Sequence, residues 1–155
     1  MTEITDLLGP NAVAADLAAA NKRGLFTALA AMAAKAWGVD AKLVAERLAA
    51  REKLGTTGFG GGIAVPHAKI EGLAAVRGVF VRLARPIDFA AVDDLPVDLV
   101  FMLLSPADAG ADHLRALAKV SRRLRDRALA DKLRGAGSPD ALYALLAGVE
   151  ARDAA

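Results

Sequence analysis

The chain has no cysteine. That excludes disulfides, thiol catalysis and thiolate metal sites, and it fits a reducing cytoplasm, the expected location. No stretch of about 18 apolar residues runs free of charge, so no membrane span is expected. Met1 to Pro10 carry Glu3 and Asp6 and lack a basic segment followed by an apolar one, so they do not read as a secretory leader. Charge of one sign is scarce as well. Twenty Lys and Arg stand against eighteen Asp and Glu, a formal net charge of +2. So slight an excess does not by itself point to nucleic acid. Histidine is limited to His67 and His113. No third side chain with metal-ligand spacing joins them. Asp112 is the near candidate and reads better as a helix cap, so no metal and no cofactor are expected. No Gly-x-Ser-x-Gly elbow is present, which leaves a Ser-His-Asp hydrolase without support.

What is there is a chain of 155 residues, 55% of them hydrophobic. That is enough for one globular domain with a sizeable core, expected over residues 1–150 with a frayed tail at 151–155. Its most unusual stretch runs from Gly58 to Lys69. Gly58, Gly60, Gly61 and Gly62 crowd together, followed by Ile63 to Val65, Pro66 and His67. Glycines this dense let the backbone take positive φ, and successive N–H groups in such a turn form an anion-binding nest. Pro66 fixes its own φ and pushes Val65 toward extended geometry, so His67 is presented from a stiff support. No Gly-Lys-Ser/Thr follows, so this is not a Walker A loop, and Ile63 stands where a dinucleotide fingerprint needs its third glycine. A rigid histidine beside a nest of donors suits the carriage of a phosphoryl group; a plain surface loop is the competing reading.

The rest of the chain supplies the frame. A short edge strand is expected around Ala12 to Ala15. Asn21 caps a helix running to Trp37, with Leu25, Leu29, Met32 and Ala36 at helical spacing and Gly38 as its stop. Asp40 caps a second helix to Lys53, stopped by Gly55, with Leu43, Val44 and Leu48 on its inner face. Arg51 shares that face, close to the helix end, where it could reach an anion held by the glycine loop; a snorkelling cation is the alternative. Thr56 and Thr57 open the loop and offer hydroxyls. Glu71 to Leu73 form a turn. Val76 to Leu83 read as a strand with one wetter face, closed by Pro86. Val97 to Leu104 are nearly continuous in hydrophobicity and read as a strand buried on both faces. A strand so buried implies an α/β fold with helices above and below the sheet. Asp112 is expected to cap a long helix starting at His113, whose outer face is basic from Arg115 to Arg127. Either that face is solvated, or it binds nucleic acid. After Gly135 to Gly137, Ser138 caps a final helix with Pro139 at its first position.

The run Thr57-Gly58-Phe59-Gly60-Gly61-Gly62-Ile63-Ala64-Val65-Pro66-His67 resembles the phosphohistidine motif of the type-2 IIA domains of the bacterial phosphoenolpyruvate-dependent phosphotransferase system. Val44 to Glu52, ending in Arg-Glu, is similar to that family's helix. Pro86-Ile87-Asp88-Phe89, Pro96-Val97-Asp98-Leu99 and Asp112-His113-Leu114 look most like its nitrogen-regulatory branch. The similarity spans roughly Leu17 to Leu146. It implies a single-domain mixed sheet flanked by helices on both faces. It implies that His67 accepts a phosphoryl group through Nε2 from a small histidine-phosphorylated carrier of the HPr or NPr kind. His113 would hydrogen-bond the phosphate and Arg51 would lend a cation. Apart from the resemblance, the residues themselves suggest a phosphate-binding loop of Thr56, Thr57, Gly58, Gly60, Gly61 and Gly62, with a hydroxyl from Thr56 or Thr57 and N–H groups from the glycines. The output would be binding to regulatory protein targets according to phosphorylation state. Alternatives at this point are a fructose or mannitol IIA component in sugar uptake, a nucleic-acid module built on the basic helix, and a metallo-hydrolase using both histidines. The oligomeric state is left open.

Overall fold

The computed structural model describes the backbone of residues 3–154 and the side chains through residue 148. A short helix α1 (Ile4–Leu7) and a 3₁₀ turn lead into strand β1 (Val13–Leu17), followed by helices α2 (Lys22–Trp37) and α3 (Ala41–Lys53). Three short strands follow, β2 (Gly58–Gly60), β3 (Ile63–Ala64) and β4 (His67–Ile70), then two long ones, β5 (Arg77–Ile87) and β6 (Val97–Pro106). Helices α4 (Ala111–Leu124), α5 (Arg127–Gly135) and α6 (Pro139–Ala154) complete the chain. The tail expected to fray from Ala151 falls where side chains lie outside the described residues.

The sheet is mixed, in the order β1-β5-β6-β3-β2, with β4 also paired to β6. Strand β6 is its axis. One edge pairs antiparallel with β5; the other pairs parallel with β3 and, farther along, with β4. Ile63 lies opposite Leu99 and His67 opposite Leu103, so β3 and β4 run along one edge of β6, interrupted at Val65 and Pro66. Pro66 cannot donate to the ladder, but its carbonyl accepts the Leu103 N–H at 2.9 Å. Leu99 through Leu104 are fully buried, as a central strand covered on both faces must be.

Local signals account for the first helices. The Asn21 side chain accepts the Gly24 N–H at 2.8 Å, and Gly38 ends α2 with φ 72°. Asp40 accepts the Lys42 N–H at 3.0 Å and opens α3. Trp37 donates from Nε1 to the Gly78 carbonyl at 3.0 Å, which ties α2 to β5.

Five expectations need correcting. The glycine stretch is not a loop but a hairpin, β2 paired antiparallel with β3, with Gly61 and Gly62 at φ 69° and 81° in its turn. Pro86 does not close β5; it lies inside the strand, at an irregularity where five steps of β5 oppose two of β6, so no ladder bond is demanded of it. The wetter face of β5 is covered: Phe80 is fully buried, and Arg82 donates to the carbonyls of Leu133, Arg134 and Ala136 at the end of α5. The long basic helix is two helices. Asp126 accepts the Ala128 N–H at 3.0 Å and starts α5, splitting the basic face. Within α4 the cap position belongs to Gly110, and Asp112 sits in the first turn, paired with Arg115 at 3.1 Å.

Candidate functional site

His67 opens β4 directly after Pro66. Its Nδ1 lies 2.9 Å from the Val65 carbonyl oxygen. A carbonyl only accepts, so Nδ1 carries the proton and Nε2 keeps its lone pair. The backbone around that carbonyl is itself held: the Val65 N–H donates to the Thr57 carbonyl at 3.0 Å. Arg51 reaches from the last turn of α3 and donates from Nε to His67 Nε2 at 3.2 Å, while its Nη1 donates to the Gly55 carbonyl at 2.8 Å. Arg51 therefore lies on the side of His67 where its position on the inner face of α3 predicts it.

His113 comes from the third residue of α4 and is buried. Its ring centroid is 5.5 Å from that of His67, with the planes tilted by 52°. Its Nδ1 lies 2.6 Å from the Oγ of Ser105, a fully buried residue near the end of β6. The two histidines, 46 positions apart in the chain, meet because β4 and β6 run parallel and α4 starts just beyond the end of β6. Sites in open sheets gather at such strand ends.

Both imidazoles are held neutral. Burial pushes the His67 pKa below its ordinary 6.5; the Val65 bond opposes this and the Arg51 charge reinforces it. Burial also lowers His113, with His67 and Lys69 adding to the effect. A neutral ring whose Nε2 is unprotonated, its lone pair turned to the Arg51 guanidinium, is a nucleophile at ordinary cellular pH once that contact yields to the phosphoryl group.

The remaining loop residues divide into two sets. Thr56, Thr57 and Gly58 lie at the His67 end of the hairpin. Gly58 is packed so closely that a Cβ there would come within 2.8 Å of Ala91. Thr57 is buried, and its Oγ1 donates to Glu52 at 2.7 Å; the Thr56 Oγ1 accepts the Gly58 N–H at 3.1 Å. Gly60, Gly61 and Gly62 lie at the other end. The four-residue offset between Leu99 and Leu103 on β6 puts their turn about 13 Å from His67. There the Gly61 N–H donates to Asp93 at 2.9 Å, and Arg134 donates to the Gly61 carbonyl and to Asp98. The structure thus brings His67, His113, Arg51 and the Thr56–Gly58 segment together and leaves the glycine turn apart. Among the described residues, no group of three His, Asp or Glu side chains is placed to hold a metal ion.

Sequence reasoning passed over Glu52 and Ser105. Ser105 had a signal: it is the first hydroxyl after the apolar run of β6, eight residues before His113. Glu52 was visible only as half of an Arg-Glu pair.

The sequence profile of the family described as "Phosphoenolpyruvate-dependent sugar phosphotransferase system, EIIA 2" matches residues 6–149. The chain belongs to this family. A "Nitrogen regulatory protein" of Bradyrhizobium diazoefficiens is 49% identical to it over 144 residues, covering 93% of this chain and 94% of the relative. A "PTS system fructose-specific EIIA component" of Haloferax volcanii is 37% identical over 150 residues, covering 96% and 97%. Among solved structures, the nitrogen regulatory protein IIA-Ntr from Neisseria meningitidis superposes with a TM-score of 0.86 at 32% identity, covering 92% of this chain and 98% of that one. The mixed sheet between helices is thus the IIA fold. No helix among the described residues of this IIA protein is long and apolar enough to cross a membrane.

Proposed function

We propose that this IIA protein is a cytoplasmic phosphocarrier of the nitrogen-regulatory kind, taking its phosphoryl group on His67 Nε2 from a histidine-phosphorylated carrier protein of the HPr or NPr class. The observation that carries the reading is the bond from His67 Nδ1 to the Val65 carbonyl, with Arg51 on the opposite nitrogen. In the transfer, the donor's N–P bond breaks as a new one forms to Nε2. The donor imidazole leaves with the electron pair. No proton need be removed from Nε2, and Nδ1–H stays on Val65. Phosphoryl transfer is mainly a matter of in-line positioning and charge stabilisation. Arg51 supplies the cation, and His113 a ring nitrogen from the facing side. The added negative charge would raise the His113 pKa and favour its donating form. Two exposed leucines flank the site, Leu54 just after α3 and Leu114 next to His113, and they suit a protein partner more than a small ligand.

The regulatory branch is supported by the nitrogen regulatory relatives. Phosphorylation state would then govern binding to regulatory protein targets. The fructose-specific relative supports a second reading, sugar uptake, in which the phosphoryl group moves on to a downstream sugar-specific domain. The test is incubation with a phosphoenolpyruvate-driven phosphotransferase chain. One acid-labile, alkali-stable phosphoryl group is expected on the wild type and none on His67→Ala. Equal labelling of His67→Ala overturns the site. Stoichiometric onward transfer to an added fructose-type acceptor domain favours the second reading.

A further inference from the structure

Glu52 lies next to Arg51 but does a different job. Neighbouring residues on a helix point about 100° apart, so Arg51 faces His67 while Glu52 faces the segment after the helix. Its carboxylate is nearly enclosed, with 7% of the side chain exposed. Oε1 accepts the Thr57 N–H at 3.0 Å and the Thr57 hydroxyl at 2.7 Å. Oε2 accepts Lys22 Nζ from α2 at 2.9 Å. A buried carboxylate survives only when it is satisfied in this way. Burial by itself would raise its pKa, but the bonds from Thr57, Lys22 and Thr56 outweigh that and hold it below the ordinary value.

What Glu52 holds leads to the imidazole. Thr57, pinned at its N–H and its hydroxyl, offers its carbonyl to the Val65 N–H at 3.0 Å. Val65, so oriented, turns its own carbonyl to His67 Nδ1 at 2.9 Å. We infer that Glu52 is a positioning residue: through Thr57 and Val65 it fixes His67 in the one tautomer that leaves Nε2 unprotonated. A loose imidazole exchanges its two tautomers, and only one of them presents a lone pair at Nε2. The reason for a carboxylate here is geometric. One oxygen receives both Thr57 donors while the other answers Lys22, and no apolar side chain can do either.

This inference names a further residue of the site proposed above and rests on that reading for its consequence, but not for its test. The measurement is the long-range ¹H–¹⁵N spectrum of the unphosphorylated, ¹⁵N-labelled protein, which reports which ring nitrogen of His67 is protonated. Wild type is expected to show Nδ1–H alone. Glu52→Ala is expected to show a mixture and to accept phosphoryl groups at least roughly tenfold more slowly, as for an imidazole in the wrong tautomer. Glu52→Gln, whose amide oxygen still accepts from Thr57, is expected to restore the wild-type pattern in part. If Glu52→Ala fails to fold, Thr57→Val, which loses only the hydroxyl, should show a smaller mixture. Leu48→Ala controls for loosening, because Leu48 is buried on the same helix. It should lower the melting temperature without altering the ring spectrum. An unaltered ring in Glu52→Ala overturns the inference, and so does equal mixing in Leu48→Ala. A role through charge alone would lower the His67 pKa further in Glu52→Ala and leave the tautomer alone, which also overturns it. A wild type that accepts no phosphoryl group would overturn the functional reading and leave the spectrum free to decide this one.

Discussion

His67 and His113 are the same side chain 5.5 Å apart, both neutral and largely hidden, yet they are held in different ways. His67 is tied by Nδ1 to a backbone carbonyl, an acceptor and nothing else. His113 is tied by Nδ1 to the Ser105 hydroxyl, which donates or accepts as required. The first arrangement fixes a tautomer; the second permits either. A nucleophile must present the same lone pair at each turnover. A group that meets the phosphate only after it arrives gains from being able to change its proton. Backbone therefore holds the acceptor, and a rotatable hydroxyl holds the helper.

That contrast sets the largest expected effect. In the phosphotransfer assay His67→Ala should lose labelling entirely. His113→Ala should still be labelled but transfer roughly 10- to 100-fold more slowly, the worth of one charge-assisted hydrogen bond. Equal loss in the two variants would erase the distinction between acceptor and helper.

Ser105→Ala probes the helper's support and should act next most strongly. It leaves a buried ring nitrogen without its partner, at a cost of about 1–3 kcal/mol in stability. Chemical denaturation checks the size. Onward transfer should slow while the wild-type ring pattern persists at His67, because Ser105 is not linked to Val65. A change of tautomer at His67 would show that the two rings are not held independently.

Arg51→Met removes the cation beside His67 and should shift the pH dependence of phosphoryl acceptance. The guanidinium lowers the His67 pKa, so its removal moves the acid limb of the acceptor rate to higher pH. Initial rates between about pH 5 and 8 would show the limb, since an imidazole near 6.5 titrates in that range. A limb that stays in place would assign the neutral ring to burial alone.

The two rings also differ in how far the sequence foretold them. His67 was legible because Pro66 and the glycines before it are local signals. The caps at Asn21 and Asp40 are of the same kind, and α2 and α3 begin where those residues stand. His113 was placed near His67 by a general rule about strand ends, while its partner Ser105 was missed because the contact joins the end of β6 to α4. The glycine hairpin was misread for a similar reason. Its turn is held by Asp93, Asp98 and Arg134, which lie 32 to 73 positions away in the chain. The break between α4 and α5 had a local sign, Asp126 as a cap, but the continuous basic pattern around it obscured the signal. What stayed hidden was mostly pairing across distance, as with Glu52 and Lys22, 30 positions apart.

The smallest effect expected is on stability as a function of pH, and its sign follows from the directions of the shifts. Both histidines have folded pKa values below their ordinary 6.5. Between those lowered values and 6.5 the unfolded chain binds more protons than the folded one, so stability falls as the solution is acidified through that window and levels off, as far as the histidines are concerned, below it. Glu52 acts in the same direction at lower pH. Its folded pKa is depressed, so its contribution is present above the ordinary 4.5 and is lost as pH falls through the folded value. The two windows separate the groups. His113→Gln, which cannot titrate, should flatten the slope just below pH 6.5 and leave the loss below 4.5 in place. Melting temperatures taken through both windows measure this. An unchanged upper slope in His113→Gln would mean that the hydroxyl of Ser105 lets His113 take up its proton in the folded state as readily as in the unfolded one.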